Sequence, residues 1–122
     1  MGTIDIDGNI QEATCKQELT AMRDSLEILG GKWKLMLLRY LSNRLEEKNT
    51  FKKIQREIEG LSAKMLAKEL KDLELNLLIS RSVINTKPVT VEYKVTSYGL
   101  NVLPLAENLV QWGLDHRAQI KR

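Results

Sequence analysis

The stretch Gly60-Leu61-Ser62-Ala63-Lys64-Met65-Leu66-Ala67-Lys68-Glu69-Leu70-Lys71-Asp72-Leu73-Glu74-Leu75-Asn76 carries two residue classes at helical spacing. Gly60-Leu61 reads as a turn, and Ser62 is a side chain suited to cap the first N–H groups of a helix over about 62–76. With ~100° per residue and Lys64 set at zero, Lys68 falls near ~40° and Lys71 near ~340°. Leu66, Leu70, Leu73 and Leu77 then fall between about 180° and 240°. The leucines predict the side that docks on a core. The lysines predict the opposite side, free to meet a DNA major groove. A lysine stripe is also what any solvated helix face carries, so the flanking elements must decide between the two.

Upstream, Thr50 caps a short helix in which Phe51, Ile54 and Ile58 face inward, after a charged loop over 43–49. Before it, Trp33, Met36, Leu37, Tyr40 and Leu41 share a face of a helix over about 32–42, and Leu35 and Leu38 widen that face. An earlier helix over about 18–29 carries Leu19, Met22, Leu26 and Leu29 and ends at Gly30-Gly31. Residues 1–17 are polar without a clear period and read as a mobile tail. Downstream, two strands over about 79–84 and 89–95 flank the tip Asn85-Thr86-Lys87-Pro88. In the second strand Val91, Tyr93 and Val95 alternate with Thr90, Glu92 and Lys94. Thr96 or Ser97 then caps a long helix to about Arg117, with 118–122 as a tail, and Pro104 should bend that helix.

Helix, turn, helix and then a two-stranded wing is the winged-helix arrangement. The fold class expected is mainly α with a small β-hairpin: one winged helix-turn-helix domain over 18–117, with additional N- and C-terminal dimerisation helices. In the last helix, Tyr98, Val102, Leu105, Leu109 and Trp112 form one apolar stripe, and Leu103, Ala106, Val110 and Leu114 form another. A helix apolar on two sides needs two partners. A homodimer meets that need, with Leu19, Met22, Leu26, Val102, Leu105, Leu109 and Trp112 at its interface. The first helix of the same chain covering the second stripe is the other reading.

The wing contributes Arg81 on its first strand and Lys87 at its tip, placed for phosphates or the minor groove. Pairing of Arg81 with Glu92 across the hairpin is the other reading. Lys52 and Lys53 lie on the polar side of the short helix, within reach of a DNA backbone. The candidate DNA-binding residues are therefore Ser62, Ala63, Lys64, Ala67, Lys68, Lys71, Lys52, Lys53, Arg81 and Lys87. A two-fold dimer would present two such helices to successive major grooves, which implies a pseudo-palindromic duplex site.

Composition agrees and excludes alternatives. The 122 residues suit one domain, and the net charge of +3 is a mild basic excess. Cys15 is the only cysteine, so no disulfide forms within the chain, and a reducing cytoplasmic setting is expected. No apolar run reaches the ~20 residues of a membrane helix. His116 is the only histidine and sits near a helix end. No nucleophile–base arrangement, Gly-rich phosphate loop or metal-ligand spacing accompanies it, so neither an enzyme nor a metal or other cofactor is expected.

Four strings, in order, resemble the HxlR-type transcriptional regulators, winged-helix relatives of MarR. They are Leu29-Gly30-Gly31-Lys32-Trp33-Lys34-Leu35, then Gly60-Leu61-Ser62-Ala63-Lys64-Met65-Leu66, then Val91-Glu92-Tyr93. The fourth is the set Thr96, Gly99, Leu103, Pro104, Trp112 and Gly113. The resemblance implies a DNA-binding homodimer acting as repressor or activator, with the helix over 62–76 as reader and the hairpin over 79–95 as wing. It implies no obligatory cofactor, and leaves a small-molecule or redox signal open as an input. Thr20 stands where many members have a cysteine. The competing expectation is a protein–protein interaction module on the same fold. The lysine stripe speaks against it, because protein interface cores are poor in lysine.

Overall fold

The computed structural model describes residues 2–121. The chain divides into two compact units, Met1–Gly30 and Gly31–Arg122.

In the first unit, β1 (Thr3–Ile6) pairs antiparallel with β2 (Asn9–Glu12), Ile4 facing Gln11 and Asp5 facing Ile10. Asp7 and Gly8 join them with φ of 51° and 87°, the left-handed pair a two-residue hairpin turn requires. The Asp5 carboxylate accepts the Gly8 N–H at 2.8 Å. The tail expected over 1–17 is corrected here: it holds this hairpin and the start of the first helix. Asp7-Gly8 is a hairpin signal and Ile4 and Ile6 alternate with Asp5 and Asp7, but each strand is only four residues long and almost wholly exposed. Met1 lies outside the described residues.

Helix α1 (Cys15–Leu29) starts earlier than its apolar spacing suggests, because Thr14 and Gln17 form a reciprocal capping box. No residue of α1 is buried. Leu19, Met22 and Leu26 are each more than 60% exposed.

The second unit is the winged helix-turn-helix. Its elements are α2 (Lys34–Ser42), α3 (Phe51–Glu57), α4 (Ala63–Leu75), β3 (Ile79–Ile84), β4 (Thr90–Val95) and α5 (Leu103–Ile120). Leu37, Leu38 and Leu41 of α2, Ile54 of α3, and Leu66, Leu70 and Leu73 of α4 are fully buried and make the core. The wing closes it with Tyr93 and Val95, and α5 contributes Ala106. Residues 43–49 lead back to the wing: Asn49 C=O accepts the Tyr93 N–H at 2.8 Å, and Thr50 bridges Glu92. The hairpin thus gains a third short rung of backbone pairing. Thr50 then caps α3 as expected.

Four expectations are corrected in this unit. Met36 is 46% exposed, because it borders a groove between α2 and α5 rather than the core. Leu77 leaves the leucine stripe and is 70% exposed. It adopts φ of 65° just past α4, and Leu78 turns into the core in its place. Pro104 bends no continuous helix: residues Gly99–Val102 form a 3-10 turn, and Pro104 sits in the first turn of α5, where no N–H is needed. Lastly, the tail expected over 118–122 is helical to Ile120, and Arg122 lies outside the described residues. Among the described residues, no helix is long and apolar enough to cross a membrane.

Candidate nucleic-acid interface

Helix α4 follows the turn at Gly60, which takes φ of 82°. The Ser62 hydroxyl accepts the Met65 N–H at 3.1 Å and so caps the helix. Burying Leu66, Leu70 and Leu73 turns the opposite side outward. Ser62, Ala63, Lys64, Ala67, Lys68 and Lys71 are all exposed there.

Lys71 and Ala67 line a polar cleft with Glu74 of the same helix and with Arg81 and Tyr93 of the wing. The cleft brings two of the expected cations together from separate elements. The strand register sets Arg81 opposite Tyr93 and Ser82 opposite Glu92. Arg81 and Glu92 therefore project from opposite faces of the hairpin, and the cross-strand pair considered from sequence is not made.

At the other end of the wing, Lys87 is exposed at the tip. Lys52, also exposed, borders a shallow groove with Pro88, Val89 and Thr90. Lys53 differs from its neighbour. Its ammonium donates to Glu47 at 2.6 Å, and its side chain is only 19% exposed. That hydrogen bond holds the Glu47 carboxyl below its ordinary pKa. Lys53 thus belongs to the loop before α3 more than to an open surface.

One cation absent from the sequence-based set stands out. Lys34 is buried at the start of α2, and its Nζ lies 2.8 Å from Glu69 Oε2 and 3.4 Å from Asp72 Oδ2 of α4. Asp72 also takes Lys68 at 3.3 Å, and Lys68 lies 4.0 Å from Glu69. Burial acts to lower the Lys34 pKa, but the hydrogen bonds and charges of Glu69 and Asp72 outweigh it and raise the value. For Asp72, desolvation acts upward and is outweighed by Lys68 and Lys34, so its carboxyl titrates below the ordinary range. Local spacing signals only the i,i+4 pair Lys68–Asp72 within α4; Lys34 comes from α2, and nothing in the sequence near α4 points to it.

A second network joins α2 to α3. The buried Tyr40 hydroxyl donates to Glu57 at 2.8 Å, and the Arg44 guanidinium stacks 3.9 Å from the Tyr40 ring centroid.

The residues expected at a dimer interface are uncovered in the single chain. Leu105, Leu109 and Trp112 of α5 are 45%, 49% and 64% exposed, and Val102 is half-buried. Trp112 stacks on His116 with centroids 4.7 Å apart. Cys15 is an exposed free thiol at the start of α1.

Comparison with known proteins agrees with this architecture. The profile of the HxlR-like helix-turn-helix family matches residues 28–121. The uncharacterized HTH-type transcriptional regulator YkvN of Bacillus subtilis is 38% identical over 87 residues, 71% of each chain. A crystal structure of the HTH-type regulator ytcD superposes with a TM-score of 0.73 at 33% identity, covering 83% of this chain and 97% of that one. The redox regulator HypR, in its reduced form, superposes with a TM-score of 0.73 at 27% identity, covering 83% and 97%.

Proposed function

The chain belongs to the HxlR-like helix-turn-helix family of DNA-binding transcriptional regulators, and from that premise we propose that it binds a pseudo-palindromic duplex as a homodimer. Helix α4 enters the major groove, and the hairpin β3–β4 lies along the backbone or minor groove. The role is one of binding, with no catalytic step, and its setting is cytoplasmic.

The observation that carries this reading is the side of α4 opposite the buried leucines. Lys64, Lys68 and Lys71 are exposed there, on the helix after the turn and before the wing. Ammonium groups on such a helix meet phosphates and base edges together. Ser62 and Ala63 bring the positive end of the helix to the backbone. Ala67 is small enough to let the helix approach closely. Arg81 and Lys71 hold the strand that passes over the cleft between α4 and the wing. Lys87, with Lys52 beside the wing tip, reaches the flanking phosphates. Lys53 contributes less, because Glu47 already occupies it.

Two copies are needed for two half-sites. The apolar residues Leu105, Leu109 and Trp112 of α5, and Leu19, Met22 and Leu26 of α1, supply faces that a second copy would cover.

The test is binding to the duplex upstream of the chain's own gene, by fluorescence anisotropy across a salt series. Lys64→Ala with Lys68→Ala should weaken binding at least tenfold and flatten the logarithmic salt slope by about two. Unchanged affinity and slope would remove α4 from the role of reader.

A further inference from the structure

The DNA-facing side of α4 is not purely basic. Glu69 and Asp72 flank the lysine stripe, and Asp72 reaches Lys68 at 3.3 Å. Left alone, two carboxylates at the rim of a groove-reading helix would repel phosphates and hold the nearest lysine inward. Lys34 sits beneath them, with 10% of its side chain exposed, and touches both. It approaches from α2, the side away from the lysine stripe. Its own ammonium is too buried to serve as a phosphate contact.

We propose that Lys34 is a positioning residue for DNA binding: it neutralises Glu69 and Asp72 from below and draws them toward the core, which weakens the hold of Asp72 on Lys68 and eases the release of Lys68 to the phosphates. The inference rests on the DNA-reading role of α4. With Lys34 present, the two ammonium groups and two carboxylates sum to zero charge. Without it, the same rim carries one net negative charge, and Lys68 is the sole remaining counter-ion within the cluster. Asp72, which already pairs with Lys68, then competes with DNA for it more strongly. It is the more open of the two acids, its side chain 35% exposed against 15% for Glu69.

A lysine that merely braces two helices would weaken DNA binding only by loosening the fold. The charge role makes a different demand: removing the two carboxylates should repair the loss of Lys34. The probe is the duplex upstream of the chain's own gene, with a mixed-sequence duplex of equal length beside it. Lys34→Met should weaken binding to both duplexes about tenfold. Adding Glu69→Gln and Asp72→Asn to Lys34→Met should restore affinity to within about threefold of the unaltered protein. A triple variant that is folded by circular dichroism and no tighter than Lys34→Met would overturn the proposal.

A second variant keeps the test open if Lys34→Met fails to fold. Asp72→Asn leaves the Lys34–Glu69 pair in place and frees Lys68. It should tighten binding about threefold and steepen the salt slope. Unchanged or weaker binding would count against the idea. Failure of the unaltered protein to bind either duplex would instead remove the DNA-reading role itself, which separates the two claims.

Discussion

Lys34 Nζ and Glu69 Oε2 lie 2.8 Å apart, with 10% and 15% of the two side chains exposed. The pair locks the first turn of α2 to the middle of α4, and so sets the roll of the helix that faces DNA. An ion pair this sheltered is strengthened by its low-dielectric setting and is costly to break from one side only. The same contact therefore serves stability and the charge of the interface.

Two buried groups predict an alkaline limit to stability. Burial, then the hydrogen bond to Glu57, pushes the Tyr40 phenol up to about 12. Its folded value lies above the unfolded one, near ~10. The stabilisation is therefore whole below pH ~10 and is lost as the pH rises toward the folded value. Lys34 is raised in the same direction and adds to the loss above the ordinary lysine value of about 10.4. Urea midpoints between neutral pH and the alkaline limit should fall steeply above pH ~10, and Tyr40→Phe should flatten part of that fall. An equal slope in the Phe variant would contradict the assignment.

Gly99 is required by close approach. A Cβ there would collide with the Leu78 carbonyl oxygen and lie 2.8 Å from Val95 Cγ2. The neighbouring Thr96 hydroxyl donates to Leu77 C=O at 2.7 Å and accepts the Gly99 N–H at 2.8 Å, so the backbone has little room to retreat. Gly99→Ala should cost about 2–3 kcal/mol, read as a lowered urea midpoint at an unchanged slope.

Leu77 offers the opposite case. It follows α4 at φ of 65°, with its N–H on Glu74 C=O and the Leu78 N–H on Leu73 C=O. This is the Schellman arrangement, whose left-handed residue is usually glycine. Leu77 is 70% exposed, so little packing is lost on truncation. Leu77→Gly should stabilise the protein by about 1 kcal/mol. A lower melting temperature in the glycine variant would show that the leucine packs on something outside the single chain.

The proposed dimer is tested on α5. Leu109 is 49% exposed beside Leu105 and Trp112. A glutamate there places an unpaired charge inside any interface those residues form. Leu109→Glu should sediment as a monomer at micromolar concentration and bind the upstream duplex far more weakly, with its helical circular dichroism kept. A variant that still sediments as a dimer would move the interface elsewhere.

The order of elements in the second unit was legible in the sequence, as were the caps at Thr50 and Ser62 and the leucine side of α4. Each is a local property: a helix repeats every ~3.6 residues and a strand every ~2, so the chain writes its faces along its own length. Leu77 and Met36 escaped that logic. A helical wheel gives direction but not where the helix stops or how far its neighbour extends. The N-terminal hairpin escaped it for another reason: Ile4 and Ile6 do alternate with Asp5 and Asp7, but over four residues, with almost nothing to bury, the pattern is too short to stand out.

What the sequence determined alone was therefore the winged helix-turn-helix and the side of α4 that carries its lysines. Tertiary structure alone decided which of the charges are free. Lys53 is bound to Glu47, Lys68 leans on Asp72, and Lys34 lies beneath Glu69 and Asp72 of α4. Lys68 and Asp72 meet within one helix, but the Lys34 pairs depend on packing, which brings side chains together from helices that local periodicity treats one at a time.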